Sequence, residues 1–132
     1  MNLRAYLTAL IIVGALGLAA PAPALAHHQS VGIYIQRGLA IWGRDLGRCQ
    51  FVTAQWRTMG LGRYAVAPIP GCTFVLNQSP EVLRELHRDG HLLCTIVIHE
   101  MGHLAGRHHT NNPRDVMYGG AERPGGRVAQ GC

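Results

Sequence analysis

The chain has 132 residues, 48% of them apolar and 14% charged, which suits one small domain with a modest core and excludes a disordered chain. Its formal charge of +5 comes from 12 basic residues, all Arg, against 7 acids. They are spread singly, with no basic stripe interleaved with aromatics, so the charge describes a solvated surface and no nucleic-acid partner is expected.

In chain order, Arg4 precedes an apolar run over 5–20, then come Pro21, Pro23 and Ala24-Leu25-Ala26. A basic start, a short apolar core and a small-x-small end predict a signal peptide over 1–26, cut after Ala26. The run is short for a membrane span and is interrupted by Gly14 and Gly17. Residues 27–132 then form a single secreted domain, extracellular or in the cell envelope, with no membrane association after cleavage. His27 and His28 would open it as a polar tail, the alternative being copper chelation by an amino terminus with imidazoles.

Ile35, Leu39, Trp42 and Leu46 recur near a helical period, which predicts a first helix over 31–46 packed on a sheet. Three β-branched or aromatic segments, 51–55, 63–67 and 72–76, are split by Gly60, Gly62, Pro68, Pro70 and Gly71 and predict three strands. Ser79-Pro80-Glu81 reads as an N-cap, a first-turn proline and an acid at the positive end of the dipole, opening a short helix to about His87. Asp89-Gly90 breaks it. The next segment, 91–105, is apolar on almost every side except at His99, Glu100 and His103, so it predicts a buried helix showing polar groups only toward a cleft. This order is α+β, a short twisted sheet with a packing helix and a buried active-site helix, and it contains no repeat.

Cys49, Cys72, Cys94 and Cys132 are even in number, follow an export signal and form no C-x-x-C pair, which favours two disulfides over thiol chemistry or a second metal site. Three pairings are possible. Cys49 with Cys72 and Cys94 with Cys132 is the favoured one, tying the β region to itself and the tail to the active-site helix. On a helical projection Cys94 lies roughly 140° from His99, facing the core.

The chemistry lies at His99, Glu100, His103, Gly106 and His109, spaced H-E-x-x-H-x-x-G-x-x-H. Side chains four apart on a helix differ by about 40° around its axis, so His99 and His103 can grip one ion. Glu100 lies roughly 60° round from His103, able to hold water beside the ion instead of binding it. Gly106 can take the left-handed conformation that closes a helix and brings His109 back. Three imidazoles leave the fourth tetrahedral position to solvent, the pattern of a catalytic zinc (Zn2+).

Asp115-Val116-Met117-Tyr118-Gly119-Gly120 follows. With the preceding motif, over about residues 92–120, it resembles the matrixin-like members of the metzincin clan of zinc endopeptidases. The resemblance implies a small metzincin-like domain in which Met117 forms an apolar floor under the imidazoles without bonding the zinc. Some clan members use a Tyr two places after that Met; Tyr118 stands one place after it, so the role is not carried over. It also implies zinc ligation by His99, His103 and His109, with Glu100 as general base, and an extended peptide paired with an exposed strand edge, either 63–67 or 72–76. The chain departs from the family in lacking a cysteine-bearing propeptide motif and in its short Gly- and Arg-rich stretch 121–132, which has no period for a C-terminal helix. Its acids are too scattered for structural calcium.

The reading is therefore a secreted zinc metalloendopeptidase, expected to be a monomer acting on peptide or protein substrates. Its alternative is a zinc-binding, non-catalytic binding or inhibitory module on the same frame. His108 is expected to face solvent, His87 and His91 to be surface or capping residues, and Trp42 and Trp56 to anchor the core.

Overall fold

A computed structural model describes residues 23–49, 51–60, 62–119 and 132. Most of the expected signal peptide, 1–22, and 120–131 of the tail lie outside the described residues. Three helices and a three-stranded mixed sheet follow in the order α1 (Pro23–Trp42), β1 (Thr53–Arg57), β2 (Ala65–Val66), β3 (Thr73–Asn77), α2 (Pro80–Arg88) and α3 (Leu92–Leu104). The fold is α+β. Among the described residues no helix is long and apolar enough to cross a membrane.

The first helix begins upstream of the expected residue 31, running over Pro23–Trp42 among the described residues. It also stops before 46. Beyond Trp42 the chain tightens into turns, with the amides of Asp45 and Leu46 both donating to the Trp42 carbonyl, and Gly47 at φ +55° reverses it. Leu46 keeps the apolar period and still enters the core, 3% exposed, but from a turn. Against α3, α1 presents Gly38, where a Cβ would stand 2.2 Å from Met101 Sδ, so the glycine permits close helix contact.

In the sheet β3 is central, parallel to β1 with Thr53 opposite Thr73, and antiparallel to β2 with Ala65 opposite Leu76. Phe74 and Leu76 of β3 are fully buried. Strand β1 starts at Thr53, not at residue 51. The Cys49–Cys72 disulfide fixes the two strand entrances, the ladder opens with the Thr53 amide donating to Cys72, and Phe51 is left 83% exposed. Strand β2 is reduced to two residues between Gly62 and the Pro68–Pro70 segment, since proline cannot donate to a ladder.

Asn77, fully buried at the end of β3, has a role its sequence position does not announce. Its Oδ1 accepts from the amides of Met59 (3.0 Å) and Ser79 (2.9 Å), and its Nδ2 donates to the Arg63 carbonyl (2.7 Å), fastening the loop that leads into β2. The expected cap at Ser79 is present in conformation but not in its hydrogen bond. Ser79 has the extended N-cap conformation, but its hydroxyl makes no capping bond and is buried without a partner.

From α2, Val82 and Leu86 enter the core. Asp89 then accepts the His91 amide at 3.0 Å, and α3 begins at Leu92. Leu92 through Gly102 are all buried, as the near-continuous apolar sequence requires. The helix ends in a Schellman closure. The Gly106 amide donates to His103 and the Arg107 amide to Gly102, both at 2.9 Å, with Gly106 at φ +80°. Both disulfides have the favoured pairing, Cys49–Cys72 and Cys94–Cys132, and Cys94 is 1% exposed in the core.

Candidate metal centre

One turn of α3 and the chain after its glycine bring three imidazoles together. His109 Nε2 lies 3.1 Å from His99 Nε2 and 3.0 Å from His103 Nε2, and the three can offer ligand atoms within 4.8 Å of one another. Nitrogens about 2.05 Å from a tetrahedral zinc would stand about 3.3 Å apart, so the spacing is close to what one ion needs. Among the described residues this is the group of His, Cys, Asp and Glu that can hold a metal ion.

The opposite ring nitrogens decide which atoms face inward. His99 Nδ1 is 2.7 Å from the Val116 carbonyl and His103 Nδ1 is 2.8 Å from the Arg107 carbonyl. A carbonyl only accepts, so both Nδ1 atoms carry the proton and both Nε2 atoms present lone pairs to the centre. His109 Nε2 can donate to one of them at most. A cation satisfies all three at once, and this donor set is that of a metal with a preference for imidazole.

Burial supports the same state. His99, 2% exposed, has its pKa lowered to about 4 by burial, against a smaller opposing effect of its bond to Val116. His103, half-buried, is lowered as well, again chiefly by burial. Neutral imidazoles are the form that binds metal. His109 is exposed, so the cluster opens to solvent at the His103 and His109 side while His99 closes it from within. Of the polar groups of α3, His103 is thus partly open to solvent, whereas His99 and Glu100 are buried.

Glu100, 4% exposed, has its pKa raised to about 7 by burial alone. Its Oε2 has no hydrogen-bond partner. A buried carboxylate oxygen left unpaired is costly unless a cation or a water satisfies it, and three converging imidazole lone pairs are costly for the same reason. The residues present therefore fit a metal ion.

The support beneath the ligands comes from a turn. The Met117 amide donates to Asp115 Oδ1 (2.8 Å), the Thr110 amide to the Met117 carbonyl (2.9 Å), and Thr110 bridges Tyr118. Met117, 3% exposed, lies against α3 at Gly102, where a Cβ would stand 2.3 Å from Met117 Sδ. Gly119 is equally constrained, since a Cβ there would stand 2.8 to 2.9 Å from the His109 ring. From α1 and the turn after it, Asp45 Oδ2 holds Arg107 Nη2 at 2.6 Å and the Arg107 guanidinium lies over the Trp42 ring. Trp42 also donates its indole N–H to the Ile98 carbonyl (2.9 Å).

Of the residues singled out from sequence, His99, His103 and His109 converge, Glu100 is buried on the same helix without a partner for Oε2, Gly106 makes the turn and Met117 is buried against α3. His108 is exposed and outside the cluster. His87 bonds the Leu83 carbonyl and His91 the Cys132 carbonyl. Sequence reasoning missed Val116 and Arg107, which act through backbone carbonyls and carry no side-chain signature. It also missed Gly102 and Gly119, for which a glycine beside a motif residue was the available signal. No family model, curated protein or solved structure matches the chain.

Proposed function

We propose that the chain is a secreted zinc-dependent endopeptidase resembling the matrixin-like metzincins, with His99, His103 and His109 as ligands. The observation that carries this reading is the convergence of three imidazoles whose Nε2 lone pairs face one point, on a helix where the residue after His99 is Glu100, buried and with no partner for its Oε2. A general base needs a pKa near the working pH, and burial gives Glu100 one of about 7. Zinc held there would supply Lewis acidity and a water acidified toward neutrality. Glu100 would take the proton of that water at its free Oε2 and return it to the leaving amine. Met117 would serve as the apolar floor and Gly106 as the turn that returns His109.

Of the two strands left open by the sequence, β2 is the one proposed to receive the peptide. Strand β3 is flanked on both sides, whereas Ala65–Val66 is an antiparallel edge. An extended peptide would pair with that edge, held by main-chain hydrogen bonds. The two disulfides agree with folding in an oxidising compartment and support secretion.

The test is incubation of the zinc-loaded chain with an unfolded protein, with and without chelator, beside Glu100→Gln. Chelator-sensitive cleavage lowered about 100-fold or more in the variant is expected. Cleavage indifferent to chelator overturns the reading, and zinc binding without cleavage replaces it with the non-catalytic module.

A further inference from the structure

The Cys94–Cys132 disulfide closes a stretch, 38 residues in separation, that contains every residue of the metal centre. Its two sulfurs are not equivalent. Cys94 is 1% exposed within α3, whereas Cys132 is half-buried, so an incoming thiolate reaches Cys132 Sγ first. Behind Cys94 Sγ stands a cation, with Arg37 Nη1 of α1 at 3.6 Å. A guanidinium beside sulfur stabilises the thiolate that would leave, and a better leaving thiolate speeds exchange. The other disulfide has the opposite surroundings, since Cys49 Sγ lies 3.4 Å from the Gly71 carbonyl oxygen, which disfavours negative charge on sulfur.

The same disulfide adjoins the support of a ligand. Cys94 and Ile98 form a small buried cluster against which Cys132, Val116, Tyr34 and Trp42 pack. Val116 is the residue whose carbonyl holds the His99 Nδ1 proton at 2.7 Å. Opening the bond would free Cys132 from this cluster, against which Val116, the support of the His99 ring, also packs.

We propose that Cys94–Cys132 is a thiol-exchange site through which a thiol reductant weakens metal binding, an inference that rests on His99, His103 and His109 being metal ligands. In the first step a reductant thiolate bonds to Cys132 Sγ while the Sγ–Sγ bond breaks, its electron pair leaving on Cys94 Sγ beside Arg37. A second reductant thiolate then displaces Cys132. The products are one oxidised reductant disulfide and two cysteine thiols, which take up the two protons given by the reductant thiols.

The full oxidised chain is treated with graded reduced glutathione, quenched by alkylation and mapped by peptide mass, and zinc affinity is measured on the same samples by chelator competition. The glutathione adduct is expected on Cys132 and the alkyl group on Cys94, with Cys49–Cys72 still closed. Arg37→Gln is expected to slow opening about fivefold. Zinc affinity should fall about 10- to 100-fold in the opened chain, the scale on which ligand-orienting partners act. An adduct on Cys94, earlier opening of Cys49–Cys72, a wild-type rate in Arg37→Gln, or unchanged zinc affinity after opening overturns the proposal. An oxidised chain that binds no zinc instead overturns the ligand assignment and the link to the metal, and the adduct map then judges the exchange site by itself.

Discussion

Replacing Glu100 by Gln should stabilise the metal-free protein while lowering the proposed hydrolysis about 100-fold or more. The carboxyl group has an ordinary pKa of 4.5 and one of about 7 when folded, because burial penalises its charge and no partner offsets it. Its folded state therefore binds a proton more tightly than its unfolded state, and stability falls as pH rises from about 4.5 to about 7. At 1.36 kcal/mol per pKa unit, the loss complete by pH 8 is about 3 kcal/mol. Gln has nearly the same shape and no charge, so it escapes that loss. Urea denaturation of wild type and Glu100→Gln, both held with chelator, should give nearly equal stabilities at pH 4.5 and a variant more stable by about 3 kcal/mol at pH 8. A pH-independent difference would refute the reasoning, because burial of charge is the only cause invoked and it vanishes on protonation.

The same titration exposes the histidines. His99, about 4 folded against an ordinary 6.5, takes a proton first in the unfolded state, so its contribution is present above about 6.5 and is lost as pH falls toward 4. His103 acts in the same direction. In wild type this slope opposes that of Glu100, so metal-free Glu100→Gln should lose stability on acidification more steeply than wild type, and parallel curves would contradict the assignment. Gly119→Ala places a methyl group 2.8 to 2.9 Å from the His109 ring, so chelator competition should show zinc affinity lowered about 10- to 100-fold with Cys49–Cys72 and Cys94–Cys132 intact. Asn77→Ala strips two amides and the Arg63 carbonyl of their buried partner and should cost about 3 kcal/mol in chemical denaturation, with faster amide exchange at Met59 and Ser79.

Much of the metal centre was legible in the sequence because it is built from local geometry. His99 and His103 share a face through the helical repeat, and Gly106 closes α3 where a residue without Cβ was needed, at φ +80°. The element order was legible for the same reason, as apolar period and Gly or Pro punctuation act over a few residues. The bounds were less so. The end of α1 is set by turns at Trp42, and the start of β1 by the disulfide at Cys49, neither of which a periodicity of side chains reports.

By itself the sequence determined three histidines in ion-gripping register, a glutamate one place after the first, and four cysteines whose pairing could be argued but not proved. Only the tertiary structure decided which ring nitrogens face inward, because the Val116 and Arg107 carbonyls that hold the Nδ1 protons belong to backbone brought in by folding. It alone buried the Glu100 carboxylate without a partner and set Arg37 against Cys94. Spacing along a helix is a property of the chain, whereas desolvation and long-range contact depend on what packs around it.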